Sequence, residues 1–140
     1  MVELRFFCPM VPPTETHQEK KVKVVNGKPV FYEPQELKEA RAKLMAHLAP
    51  HKPETRFNGC LRLMVKWCFP LIGIREDGEY RNTKPDLDNL QKLLQDVMTD
   101  LGFWVDDAKI VSLVVEKFWA KAPGIFIALH EVHRRGERRN

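Results

Sequence analysis

The alternation of apolar and polar positions divides the chain into short elements. In CLRLMVKWCF, Leu61, Leu63, Val65 and Trp67 alternate with Arg62, Met64, Lys66 and Cys68, the period-two pattern of a strand with one buried face. Two later runs, KIVSLVVEKFW and IFIALHEV, are rich in β-branched and aromatic residues and flank the turn KAPG, so two further strands are predicted. Val2 to Cys8 reads as a short strand stopped by Pro9, after which Pro12 and Pro13 open the polar loop PPTETHQEKK. VKVVNGKPVFY sets two β-prone runs around Asn26-Gly27, a hairpin signal.

Helical spacing appears twice. Leu37, Ala40, Leu44, Met45 and Leu48 share one face of QELKEARAKLMAHLAP, which Glu33-Pro34 introduces and Pro50 ends. Leu90, Leu93, Leu94, Val97, Met98 and Leu101 form the stripe of a second helix from about Asp88 to Leu101, with Gly102 placed to stop it. The polar stretch from Gly73 to Lys84 ahead of it reads as a loop. The order β, hairpin, α, β, α, β, β predicts an α+β fold, two main helices packed on a mixed or antiparallel sheet. Without an internal repeat or a long linker, residues 1–140 read as a single domain with a basic tail over about 133–140.

Composition narrows the class. With 44% hydrophobic and 30% charged residues over 140 positions, the chain matches a globular domain with a real core, not a disordered segment. No apolar run is long enough to span a bilayer, so no membrane partner is expected. The start MVELRFFCPM lacks the basic and long apolar regions of a signal peptide, so a cytoplasmic location is expected. Cys8, Cys60 and Cys68 form no CxxC pair, which argues against a disulfide framework and a zinc site. His130 and His133 would point to opposite faces of a strand. The net charge of +4 is compatible with a polyanionic partner without requiring one. Positive residues cluster at Lys20, Lys21 and Lys23 and in the tail His133-Arg134-Arg135-Gly136-Glu137-Arg138-Arg139, whereas aspartates gather between Asp86 and Asp107. A solubilising terminus explains such a tail as well as nucleic-acid binding does.

KPDLDNLQKLLQDV, from Lys84 to Val97, carries the most pointed signal. Asp86 and Asp88 project to the same side if the backbone is extended up to the helix start. Two unit charges about 4 Å apart at an effective dielectric near 20 repel by roughly 4 kcal/mol. Capping accounts for one carboxylate: Asp86 or Asp88 makes a good N-cap, and Asp88-Asn89-Leu90-Gln91 fits a capping box. Asp88, Lys92 and Asp96, four apart, can form a surface ion-pair ladder. The second carboxylate is surplus to a cap. The competing reading is a hard cation held by oxygen ligands, Mg²⁺ above all. Asp106-Asp107, after Gly102-Phe103-Trp104-Val105, offers a third acidic group or a simple turn.

Taken together, Asp86-Leu87-Asp88-Asn89, Lys92 four residues after the second aspartate, and the Gly102-Phe103-Trp104-Val105-Asp106-Asp107 turn resemble the RusA family of Holliday-junction resolvases, endodeoxyribonucleases of phage and prophage origin. The close match runs from Lys84 to Ile110, and the β-rich flanks are consistent with the family. The resemblance implies that Asp86, Asp88 and Asp107 bind Mg²⁺, for which Mn²⁺ can substitute, and that Lys92 is the catalytic lysine near the scissile phosphate. It implies supporting roles for Asn89 and Asp106. The sequence departs from the pattern in having Arg81-Asn82-Thr83-Lys84-Pro85 where many relatives carry a basic run, and in lacking an asparagine-rich continuation after Pro12-Pro13.

The implied activity is Mg²⁺-dependent resolution of four-way DNA junctions by paired symmetric hydrolysis, in recombination and repair. Two symmetric cuts imply a C2 homodimer. Lys20, Lys21, Arg81, Lys84 and the C-terminal arginines are candidate phosphate contacts. Phe103 and Trp104 read either as wedges for the junction centre or as core packing at the helix end. Two other readings stay open: a nuclease for flaps, forks or other branched DNA, and a non-catalytic branched-DNA-binding module whose aspartates are caps.

Overall fold

A computed structural model describes residues 3–16 and 21–135. Its central strand is the one whose alternation is sharpest. The strand β4 (Leu61–Pro70) buries every second residue, and Leu61, Leu63, Val65, Trp67 and Phe69 are at most 1% exposed. It lies between two later strands, β5 (Ile110–Ala120) and β6 (Gly124–Glu131), and β6 in turn pairs with β1 (Glu3–Pro9), giving the order β1-β6-β4-β5. Pairing is antiparallel except between β4 and β5, which run parallel. The helix between those two explains the exception: a parallel neighbour requires a crossover, and the helix supplies it.

That helix, α2 (Leu87–Leu101), buries Leu90, Leu93, Leu94, Val97 and Met98 as its periodicity predicts. It packs beside α1 (Gln35–Leu48), which buries Leu37, Ala40, Leu44 and Leu48. Met45 is only partly buried at the margin of the same core. A short 3-10 turn over Ala49–His51 follows α1 and contains Pro50. The result is a single α+β domain with a mixed sheet.

Two glycines are demanded by geometry. Gly102 adopts φ +88, and its N–H and that of Phe103 reach back to the Met98 carbonyl, closing α2 in the left-handed manner expected. Gly124 faces Pro9 across the β1–β6 pair, where an added Cβ would stand 2.6 Å from the Cys8 carbonyl oxygen and 2.4 Å from the Phe7 ring.

The predicted hairpin forms β2 (Lys21–Val25) and β3 (Lys28–Tyr32) around Asn26 and Gly27, both with positive φ, as a separate two-stranded sheet. Val24 and Phe31 on it are 73% and 66% exposed. The three cysteines are free thiols. Among the described residues no helix is long and apolar enough to cross a membrane.

Phe103 and Trp104 are core. Both are at most 1% exposed; the Phe57 N–H donates to the Phe103 carbonyl at 3.0 Å and the Val105 N–H to the Phe57 carbonyl at 2.9 Å. The Trp104 indole donates to Thr99 Oγ1 at 2.8 Å. The wedge reading therefore gives way to packing, because their rings fill the space under the end of α2.

Candidate active site

The loop that leads into α2 is built onto the edge of β5. The Gly78 N–H donates to the Trp119 carbonyl and the Trp119 N–H to the Glu79 carbonyl, each at 2.8 Å, while the Arg81 N–H donates to the Lys117 carbonyl at 3.0 Å. Tyr80 thereby faces Phe118, with the rings stacked at 4.9 Å, and its hydroxyl donates to Glu116 at 2.7 Å. That bond to a carboxylate raises the Tyr80 phenol above its ordinary range.

Arg81 then turns inward. Its guanidinium lies 4.3 Å from the Phe69 ring centroid and 4.5 Å from that of Trp119, and it donates to the Lys84 carbonyl. Burial lowers its pKa. Lys117 Nζ donates to the carbonyls of Thr83 and Pro85, both at 2.7 Å. Burial and the neighbouring Arg81 cation pull the Lys117 pKa down, and Asp86 partly restores it.

This scaffold delivers Asp86 to the helix start. Its carbonyl accepts from the Leu90 N–H at 3.1 Å, so Asp86 is the N-cap residue and α2 begins one residue earlier than the periodicity suggested. Its side chain makes no capping hydrogen bond. The capping box expected at Asp88 does not form either: Asp88 lies inside the first turn, and Gln91 is buried with its amide donating to Gln95 at 2.9 Å. Asp86 and Asp88 are both exposed, and their carboxylates are not consumed by the helix.

The ladder is absent as well. Among the described residues, no ion pair within 4.0 Å joins Lys92 to Asp88 or Asp96. Lys92 is exposed on the same face.

Asp86 and Asn89 line an open cleft of about 680 Å³ with Thr14, Thr16, Arg81 and Lys84. The N-terminal loop thus shares a cleft with Asp86. Asp107 lines a second cleft of about 400 Å³ with Arg41, Asp96, Thr99 and Asp100. Its neighbour Asp106 is occupied as a cap, its carboxylate accepting from the Ala108 N–H at 2.9 Å over the 3-10 turn Asp107–Lys109. The doublet therefore divides into a structural and an available carboxylate. Asp96 is raised above the carboxylate range by burial, with Asp107 and Asp100 adding to the shift and Arg41 and Lys92 opposing it. Arg41 is itself paired to Glu33 at 2.8 Å.

Among the described residues no group of three or more His, Cys, Asp or Glu side chains is close enough to hold a metal ion. The structure thus places Asp86, Asn89, Arg81 and Lys84 on one cleft and Asp107 on another, with Asp96. Lys20 and residues 136–140 lie outside the described residues, as does the Lys21 side chain. Sequence reasoning missed Lys117 and Arg41 altogether and named Asp96 only as a ladder partner of Asp88 and Lys92, not as a neighbour of Asp107. The excess of acid at Asp96 and Asp100 was a visible signal, whereas Lys117 carried none.

The donor chemistry at Asp86 and Asp88 fits a hard divalent ion. Mg²⁺ takes oxygen ligands, commonly one or two carboxylates with waters and substrate phosphates completing its shell. Two aspartates free of capping bonds meet that requirement without a third protein carboxylate.

A family described as "Endodeoxyribonuclease RusA" matches residues 10–130. "Crossover junction endodeoxyribonuclease rusA" of Lactococcus phage r1t is 35% identical over 119 residues, covering 84% of this chain and 89% of that protein. "Uncharacterized protein YqaN" of Bacillus subtilis (strain 168) is 27% identical over 118 residues, 76% of this chain and 82% of its own. "Crossover junction endodeoxyribonuclease RusA" of Escherichia coli (strain K12) is 56% identical over a shorter stretch of 32 residues, 23% of this chain and 27% of its own. With the family match spanning most of its length, this chain belongs to the RusA family of endodeoxyribonucleases.

Proposed function

We propose that the protein is a Mg²⁺-dependent endodeoxyribonuclease that resolves four-way DNA junctions, acting in recombination and repair in the cytoplasm. Family membership supports a phosphodiester hydrolase acting on junction DNA. The observation that carries the metal-dependent reading is the pair Asp86 and Asp88, set at the start of α2 with no capping bond from Asp86.

Asp86 and Asp88 would hold the ion, and Mn²⁺ would be expected to substitute. When bound, Mg²⁺ lowers the pKa of coordinated water and offsets charge on the phosphate. Lys92, one turn beyond Asp88 on an exposed face, supplies positive charge where negative charge develops on the scissile phosphate. Lys84 lines the cleft with Asp86 and would contact the phosphate backbone, whereas the Arg81 guanidinium is engaged by Phe69, Trp119 and the Lys84 carbonyl. Asn89, in the same cleft, braces the first turn beside the ligands. The family pattern assigns Asp107 to the same centre, with Asp106 holding its turn. Paired cuts require two such sites, so the reading includes a C2 homodimer.

The test is strand cleavage of an immobile four-way junction with Mg²⁺ or EDTA, beside linear duplex and fork substrates, using wild type and Asp88→Asn. Paired symmetric nicks that require Mg²⁺ and vanish in the variant are expected. Preferential cutting of forks would move the substrate to other branched DNA. Binding without cleavage under any divalent ion would sink the enzymatic reading.

A further inference from the structure

Lys117 is on β5, paired in register with Trp67 of the central strand, yet its side chain works at a distance in sequence. One ammonium bridges two backbone carbonyls that flank Lys84, those of Thr83 and Pro85, both at 2.7 Å. These are short for N–H···O bonds, as expected for a charged donor. Pro85 is buried and immediately precedes Asp86. The same loop is held on its other side by the Arg81 N–H on the Lys117 carbonyl at 3.0 Å and by the Arg81 guanidinium on the Lys84 carbonyl. A single residue of the sheet therefore fastens the loop through both its backbone and its side chain.

We propose that Lys117 is a positioning residue for the nuclease centre: its ammonium fixes the Thr83–Pro85 backbone so that Asp86 leaves β5's edge in the orientation that receives a divalent cation. The inference rests on reading Asp86 as a metal ligand. Nothing in an aliphatic side chain of similar length can serve, because the carbonyls of Thr83 and Pro85 would lose their donor at once. Residues that orient a metal's ligands from behind are commonly worth 10–100-fold in metal affinity.

The experiment compares wild type with Lys117→Met in three measurements: Mn²⁺ binding to the free protein by electron paramagnetic resonance, junction affinity in EDTA, and thermal melting. The expected result is roughly tenfold weaker Mn²⁺ binding, with junction affinity in EDTA within about twofold of wild type. The Mg²⁺ concentration for half-maximal cleavage should rise by the same factor as the Mn²⁺ dissociation constant. If Lys117→Met does not fold, Lys117→Leu, which likewise removes the donor, is read in the same way. Unchanged Mn²⁺ affinity overturns the proposal, whether or not the melting temperature falls. So does lost junction affinity at unchanged Mn²⁺ affinity, which would make Lys117 a DNA contact. If wild type itself neither binds Mn²⁺ nor cuts, the nuclease reading fails and this inference with it. If wild type does both and Lys117→Met matches it, only the inference fails.

Discussion

At the start of α2, Asp86 and Asp88 stand before the positive end of a helix dipole; along its second half, Asp96 and Asp100 stand toward the negative end, opposite Asp107. The residue type is the same, but the environments differ. Unpaired N–H groups at a helix N-terminus favour anions, and the C-terminal turn disfavours them. No basic residue of α2 lies in its last turn. The compensating charge comes instead from Arg41 on α1, and burial still raises Asp96. α2 has fifteen residues, a length of about 22 Å at 1.5 Å per residue. Acidic residues near the two ends of such a helix are not one cluster by default. The near end favours its carboxylates through the helix's own N-terminus, while the far end depends on a neighbouring helix.

The strongest way to break this contrast is at the near end. Asp88→Asn should reduce junction cleavage by more than about 100-fold, beyond the range usual for residues behind a metal's ligands. Its melting temperature should hardly change, since the capping box that would have tied Asp88 to stability does not form. A variant that cuts normally would return Asp88 to a purely helical role.

The next effect separates the neighbours at the far end. Asp107→Asn should lower cleavage at least tenfold at unchanged stability, the order of a lost group around a metal centre. Asp106→Ala should instead lose a cap and about 1 kcal/mol of stability, with the smaller loss of activity. Parallel rate measurements and denaturant melts distinguish them, and the reverse pattern would exchange their roles.

Lys84→Ala tests the cleft wall. Junction binding in EDTA should weaken a few-fold, with the slope of log affinity against log salt falling by about 1. An unchanged slope would remove Lys84 from the DNA contacts.

The smallest effect is a pH dependence at the far end. The Asp96 pKa is raised in the fold, so the native state holds its proton more tightly than the unfolded chain. Stability from this group is present below the unfolded value and is lost as pH rises through the folded one. Asp96→Asn should therefore flatten the decline above about pH 4, measured by melting in EDTA. A wild-type decline that persists in the variant would place its origin in other groups.

Much of the fold was legible because it rests on period. The stripe Leu90, Leu93, Leu94, Val97 and Met98 defines α2, and alternation across Leu61–Phe69 defines β4, since each side chain's face follows directly from backbone geometry. Gly102 and Asn26-Gly27 marked their turns because few residues accept positive φ. Asp86-Leu87-Asp88-Asn89 was legible as a motif, although its capping box was misread: the helix start moved one residue once the Asp86 carbonyl accepted from Leu90.

The sequence by itself determined the elements, the acidic motif and the family. Only the tertiary structure decided that β4 and β5 run parallel, that Phe103 and Trp104 are buried with their backbone paired to Phe57, and that Asp107 shares a cleft with Asp96 and Arg41. It alone decided that Lys117, 32 and 34 residues from the two carbonyls it holds, fastens the approach to Asp86. The reason is the range of the interactions: local propensity and periodicity are properties of neighbours in the chain, whereas a charge on a distant strand acquires its place only when the sheet assembles and its edge receives the loop.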